Sequence, residues 1–169
     1  MKNIMIDLET LGQVPGSAIV SIGAYVLETE ESFYRVIDLQ SCFKAKLTVD
    51  SSTIEWWMKQ SPEARAVFTD PDKIALNKAL LEFSLFVSKQ GHCHVWGDGA
   101  TFDITLTECA YKATGLVAPW KYTNVMCYRT LKNQFKGIEK KRTGVYHKAD
   151  DDARVNGLHL KAILEKIKC

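Results

Sequence analysis

The stretch "IMIDLETLG", residues 4–12, reads as an apolar strand with two acids, Asp7 and Glu9, two residues apart near its end. Successive side chains on a strand point to opposite faces, so these two carboxylates share one. Carboxylates side by side repel each other, and burying them unpartnered is costly. A bound metal ion, an Arg or Lys partner, or solvent at a frayed strand end would each resolve the conflict.

Working outward, residues 2–8 form the first expected strand, 18–27 a second after the Pro15-Gly16 turn, and 32–39 a third, together a β-meander. Residues 51–68 read as a helix broken in the middle, where Ser61 suits an N-cap and Pro62 the first helical position. Within 73–89, Leu76, Ala79, Leu80, Phe83, Phe86 and Val87 recur at helical spacing ahead of Gly91. Residues 92–97 read as a short strand, 101–114 and 123–135 as helices, 136–146 as a basic loop, and 149–167 as the last helix. Strands first, then strands alternating with helices, predict an α/β fold whose mixed central sheet is covered by helices. No repeat or linker divides the chain, so residues 1–169 are expected to form one domain.

Twenty-two basic residues against 20 acidic ones give a formal charge of +2, which neither demands nor forbids a polyanionic partner. Five widely spaced cysteines, Cys42, Cys93, Cys109, Cys127 and Cys169, form no CxxC pair. That argues against a disulfide framework or a structural zinc site and for free thiols in a reducing compartment. No apolar run approaches the ~20 residues that span a bilayer, and no secretory leader precedes the first strand. A cytoplasmic protein without a membrane partner is expected.

Two further segments bring acids toward the first pair. Asp103 opens a helix after a strand in "WGDGATFDITL" (96–106), and "YHKADDDARV" (146–155) places three acids behind His147 at the start of the last helix. Strand ends and the loops beyond them are where sites form in open α/β sheets. Hydrolysis of a phosphodiester demands stabilisation of an attacking and a departing oxygen in line, which two divalent cations can supply. Hard cations take oxygen ligands, and Asp7, Glu9, Asp103 and Asp152 provide them. A histidine titrating near neutrality is a suitable general base.

"DLETLG", "ATFD" and "HKADDD", in that order, resemble the DEDD 3′–5′ exonucleases, the group that includes polymerase proofreading domains. The resemblance covers nearly the whole chain. His147, Ala149 and Asp152 fit the HxAxxD motif of the DEDDh subgroup (DnaQ-like), while the "WW" at 56–57 and "WGDGATFD" resemble a small phage or prophage single-domain branch. The resemblance implies a ribonuclease H-like fold and a metal-dependent 3′–5′ exonuclease that releases nucleoside monophosphates from single-stranded DNA or RNA 3′ ends. It further implies Asp7, Glu9, Asp103 and Asp152 as ligands of two Mg²⁺ or Mn²⁺ ions, His147 as base, and a possible homodimer in a bacterial cell or phage-infected host. Tyr146 with Asp150 also satisfies the YxxxD spacing of a tyrosine-based subgroup, so two registers compete within one motif.

Thr10 and Leu11, beside the first motif, resemble positions that contact the terminal nucleotide. Trp57 or its neighbour Trp56 is a candidate to stack on a base, and Lys140, Lys141 and Arg142 are candidates to grip phosphates. Asp98 stands where asparagine is usual in the branch, and Ile104 follows the metal aspartate where a polar residue is common. A catalytically silent nucleic-acid-binding domain of the same fold and a ribonuclease H-like endonuclease are the alternatives. Metal-dependent release of product separates the first of these from the exonuclease, and product length separates the second.

Overall fold

A computed structural model of the chain describes residues 1–168, and Cys169 lies outside them. Its mixed sheet has five strands in the order β3-β2-β1-β4-β5, with β1 spanning Lys2–Thr10, β2 Ile19–Val26, β3 Ser32–Val36, β4 Cys93–Gly97 and β5 Val125–Cys127. The first three pair antiparallel as a meander, whereas β4 and β5 run parallel to β1. Seven α-helices flank the sheet among the described residues. This is the ribonuclease H-like arrangement expected from the sequence.

Odd and even positions of β1 serve different layers. Ile4, Ile6 and Leu8 join a core with Leu76, Leu80 and Phe83 of α4 (Leu76–Lys89) and Ile104, Leu106 and Tyr111 of α5 (Asp103–Ala113). Met5 points the other way, into a second core with Tyr25, Trp96, Tyr128 and Leu160. The 20-residue helix α7 (Ala149–Lys168) covers that second face. Because helices cover both faces, β2 is buried at all eight positions and reads as a nearly unbroken apolar run.

Two glycines let α7 lie close. A Cβ on Gly23 would meet the backbone of Ala149 and Asp150 at 2.1–2.4 Å, and one on Gly157 would meet the Tyr25 ring at 2.7 Å. Gly23 is the cross-strand partner of Asp7. The absent side chain therefore seats the N-terminus of α7, with its three acids, directly over the acidic end of β1.

The structure departs from the sequence reading at 32–39 and at 123–135. The strand expected at 32–39 stops at Val36, because Asp38 caps a six-residue helix, α1 (Leu39–Lys44), by accepting from the Gln40 N–H. The break expected within 51–68 falls between α2 (Ser51–Met58) and α3 (Pro62–Arg65), with Ser61 capping α3 as expected and a 3₁₀ turn following it. The single helix expected at 123–135 is a 3₁₀ turn (Tyr122–Asn124), the edge strand β5 and then α6 (Tyr128–Gln134). Three residues are too few to carry a strand period, so only pairing with β4 reveals β5. Cys42, Cys93, Cys109 and Cys127 are free thiols.

Candidate active site

The C-terminal ends of β1 and β4 open into a cleft of about 560 Å³. Asp7 and Glu9 enter it from β1, Asp103 from the first turn of α5, and Asp152 from the first turn of α7. His147, just before α7, completes the set. A ring nitrogen of His147 and one carboxylate oxygen from each of Glu9 and Asp152 lie within 4.8 Å of one another. Residues from three distant segments thus converge because β1 and β4 are adjacent and α7 crosses above them.

Local structure fixes each group. Asp103 Oδ1 accepts from the Leu8 N–H at 3.3 Å, which ties α5 to β1 between the two strand acids. A Cβ on Gly97 would stand 3.0 Å from Asp103 Cβ and Oδ2, so the glycine lets this carboxylate lie on the end of β4. His147 takes a left-handed backbone, φ +60°, and its N–H donates to Asp152 Oδ2 at 3.0 Å. Its ring packs edge-on against Trp56, centroids 4.7 Å apart. Asn156, one helical turn beyond Asp152, donates to Asp7 Oδ1 at 3.5 Å and accepts from the Lys140 ammonium.

The electrostatics are those of an acid cluster awaiting a counter-charge. Burial, then the carboxylates of Asp103, Glu9, Asp152 and Asp98, hold the Asp7 carboxyl well above the usual range. Burial, with Asp152 and Asp103 beside it, pushes Glu9 from 4.5 to about 8, and burial above all raises Asp103 to about 7. Asp103 Oδ2 is buried and has no hydrogen-bond partner. An all-oxygen set with an orphaned acceptor and raised proton affinity fits a hard divalent cation, Mg²⁺ or Mn²⁺. Arg142 provides the only strong protein counter-charge to Asp152 among the described residues, its guanidinium donating to that carboxylate and to the Val145 carbonyl at 2.7 Å.

A pH-dependent stability follows. The three raised acids bind protons more tightly in the folded than in the unfolded chain, so metal-free stability falls as pH rises from roughly 4 toward 8. Burial lowers the His147 pKa and opposes this trend below 6.5 with a single, half-buried group. Without metal, the melting temperature should drop by roughly 5 °C or more between pH 5 and pH 8, about 1.5–2 kcal/mol for a chain of this size. Saturating Mn²⁺ should restore most of it at pH 8 and little at pH 5. A melt that is flat with pH and indifferent to Mn²⁺ would show that the acids carry no shared burden.

The two registers of the third motif separate in space. Asp152 faces the cleft, whereas Asp150 pairs with Lys148 at 3.1 Å and does not line it. Tyr146 is exposed at the rim with its ring covering the Arg142 guanidinium, 3.7 Å from centroid to Cζ. The placement favours His147 with Asp152.

The six other expected contacts sort unevenly. Trp57 does not reach the cleft: its ring is buried in the core against Phe68, and its indole N–H donates to the Thr10 carbonyl at 2.9 Å. Its neighbour Trp56, 40% exposed, lines the cleft instead. Leu11 likewise packs into the core, while Thr10 lines the cleft with its hydroxyl donating to Gly12. Lys140 and Arg142 face the site, but Lys141 is exposed outside it. The sequence reading missed Asn156, whose i+4 spacing from Asp152 was the available signal. It also missed the polar wall of Gln13, Ser52 and Thr53, and Arg129 on α6.

The fold is shared with several solved nucleases. The nuclease domain of 3'hExo, a DEDDh family member bound to rAMP, superposes with a TM-score of 0.67 at 12% identity, covering 98% of this chain and 92% of that one. S. pombe Pop2p in its Mg²⁺- and Mn²⁺-bound form gives 0.61 at 13% identity, covering 97% and 83%. A full-length 3'-exonuclease gives 0.55 at 13%, covering 98% and 82%. At such identities the likeness is one of fold. No curated protein matches the chain by sequence.

The fold is one that nucleases use, and the family model defines a 3′–5′ exonuclease. The family model described as the 3'-5' exoribonuclease Rv2179c-like domain matches residues 2–164, and the chain belongs to that family.

Proposed function

We propose that this exonuclease removes nucleoside 5′-monophosphates one at a time from the 3′ end of single-stranded RNA, using two divalent cations. The observation that carries the reading is the convergence of Asp7, Glu9, Asp103 and Asp152 beside His147 in one cleft. Those four carboxylates would hold two Mg²⁺ or Mn²⁺ ions. When bound, the ions supply Lewis-acid activation of water and stabilise charge on the departing oxygen.

The chain's own groups do the rest. His147, kept neutral near pH 7 by burial, accepts the proton of the water that attacks phosphorus. The P–O3′ bond breaks, leaving a 3′-hydroxyl on the shortened strand and a 5′-phosphate on the released nucleoside. Asn156 orients Asp7, and the peptide N–H groups of Leu8 and His147 orient Asp103 and Asp152. Trp56 offers its exposed ring to the terminal base. Gln13, Ser52 and Thr53 place donors and acceptors along the same wall, where a ribose 2′-hydroxyl finds partners and a deoxyribose does not. The family's exoribonuclease description supports the same substrate. A reducing cytoplasm suits the free thiols.

Matched RNA and DNA oligonucleotides of one sequence, digested side by side with Mn²⁺ or Mg²⁺, test the proposal. Mononucleotides should accumulate faster from RNA and stop when the metal is chelated. Internal fragments would instead indicate an endonuclease, and equal rates on DNA would remove the ribose reading.

A further inference from the structure

The part of the cleft lining that follows β4 is built differently from the part around Trp56. Asp98, immediately after β4, accepts from Lys132 at 2.7 and 2.8 Å and from Arg129 Nε at 3.2 Å, while the Asp98 carbonyl accepts from Arg129 Nη2. Gly99, at φ +101°, brings the backbone under the arginine: a Cβ there would stand 3.1–3.3 Å from the guanidinium atoms. The guanidinium is therefore pinned at two of its five N–H groups and laid flat on residues 98–99. The side chain remains 58% exposed and lines the cleft, so three N–H groups stay free. Lys132 and Lys140 stand over the ring of Tyr128, a core residue beneath them, 5.0 and 6.0 Å from its centroid.

The two rims thus differ in charge. The wall of Trp56, Ser52 and Thr53 suits a terminal nucleoside, which has no phosphate beyond it. The rim of Arg129 and Lys140, beside Asp98, suits a strand that continues and carries a phosphate at every step. We infer that Arg129, held by Asp98 over Gly99, forms a subsite for the phosphodiester group one nucleotide 5′ of the scissile bond. An arginine already fixed by a carboxylate loses little freedom when it meets a phosphate, and its planar fork matches two phosphate oxygens. Asp98 is thereby a positioning residue and not a metal ligand. The inference rests on the exonuclease reading for its polarity but not for the phosphate contact itself.

Steady-state kinetics on an unphosphorylated dinucleotide and a hexanucleotide separate this subsite from a structural ion pair. The dinucleotide carries only the scissile phosphate. For the wild-type chain, KM should be lower on the hexanucleotide. Arg129→Ala should raise the hexanucleotide KM about tenfold, and the advantage over the dinucleotide should shrink by the same factor. Arg129→Lys should recover part of that advantage, and Asp98→Asn, which removes the carboxylate's charge from one of the two bonds holding the guanidinium, should lose part of it. Equal changes on both substrates, or a loss confined to kcat, would overturn the subsite.

Anisotropy of a 5′-labelled hexanucleotide with Ca²⁺ in place of Mg²⁺ reads the contact without turnover. The slope of log affinity against log salt should fall by about 0.7 in Arg129→Ala, and an unchanged slope overturns the subsite. Failure of the wild type to hydrolyse either oligonucleotide would count against the exonuclease reading, while the salt slope would still decide the phosphate contact.

Discussion

Asp7→Asn should lower hydrolysis roughly 10³-fold or more while the protein stays folded, and Glu9→Gln, Asp103→Asn and Asp152→Asn should do the same. On the proposed reading, the four carboxylates that β1, α5 and α7 bring to one cleft would together hold the two ions, so removing one would weaken the hold on both. Stabilisation of charge by such ions is worth several kcal/mol, and each 1.36 kcal/mol is a factor of ten in rate. Folding should not suffer. Burial first, and then neighbouring carboxylates, hold Asp7 and Glu9 above their usual proton affinity, so a neutral isostere relieves a cost. Melts at pH 8 without metal should rise for Asp7→Asn, and the rise should vanish at pH 5. A variant that keeps more than about a tenth of the wild-type rate, a loss under ~1.4 kcal/mol, removes its residue from the ligand set.

The next largest effect belongs to His147. Its removal should cost roughly 10²–10⁴-fold, the contribution of a positioned general base. The left-handed backbone at this residue makes His147→Asn a better test than alanine, since asparagine tolerates that conformation and does not titrate near neutrality. The wild-type rate should climb with pH through a single limb and level off. Burial favours the neutral ring, Asp152 opposes it and Arg142 assists it, with a net lowering below 6.5. Because the active form is the deprotonated one, the lowering leaves most of the enzyme competent at pH 7. His147→Asn should lose the limb, whereas Tyr146→Phe should keep both limb and rate. A crippled Tyr146→Phe with a normal His147→Asn would move the register to Tyr146 and Asp150.

How much of this was legible depends on where the information lies. The acidic pair on β1 is a two-residue pattern within one strand, and the helical start of the third motif is local too. The convergence of these segments was visible only through the resemblance of three ordered motifs. Trp56 and Trp57 illustrate what local reading leaves open. Adjacent residues on a helix lie about 100° apart, so one faces the core and one the cleft, and only the packing of α2 decides which. Leu11 is the same lesson on a strand end. The seat that Gly23 makes for α7 is a contact across 126 residues of sequence, which no period records. The Asp98–Arg129 pair spans 31 residues and two elements, one of them a helix that the sequence merged with a strand.

Titration of Mn²⁺ into the metal-free chain tests whether the cleft holds two divalent cations on these carboxylates. Performed at pH 8 with a nucleoside 5′-monophosphate present and followed by electron paramagnetic resonance of free Mn²⁺, it should give two ions bound per chain. Asp7→Asn should leave at most one bound tightly, and His147→Asn should keep both, since no carboxylate is lost. An absence of saturable Mn²⁺ binding, or a stoichiometry unmoved by Asp7→Asn, would contradict the account.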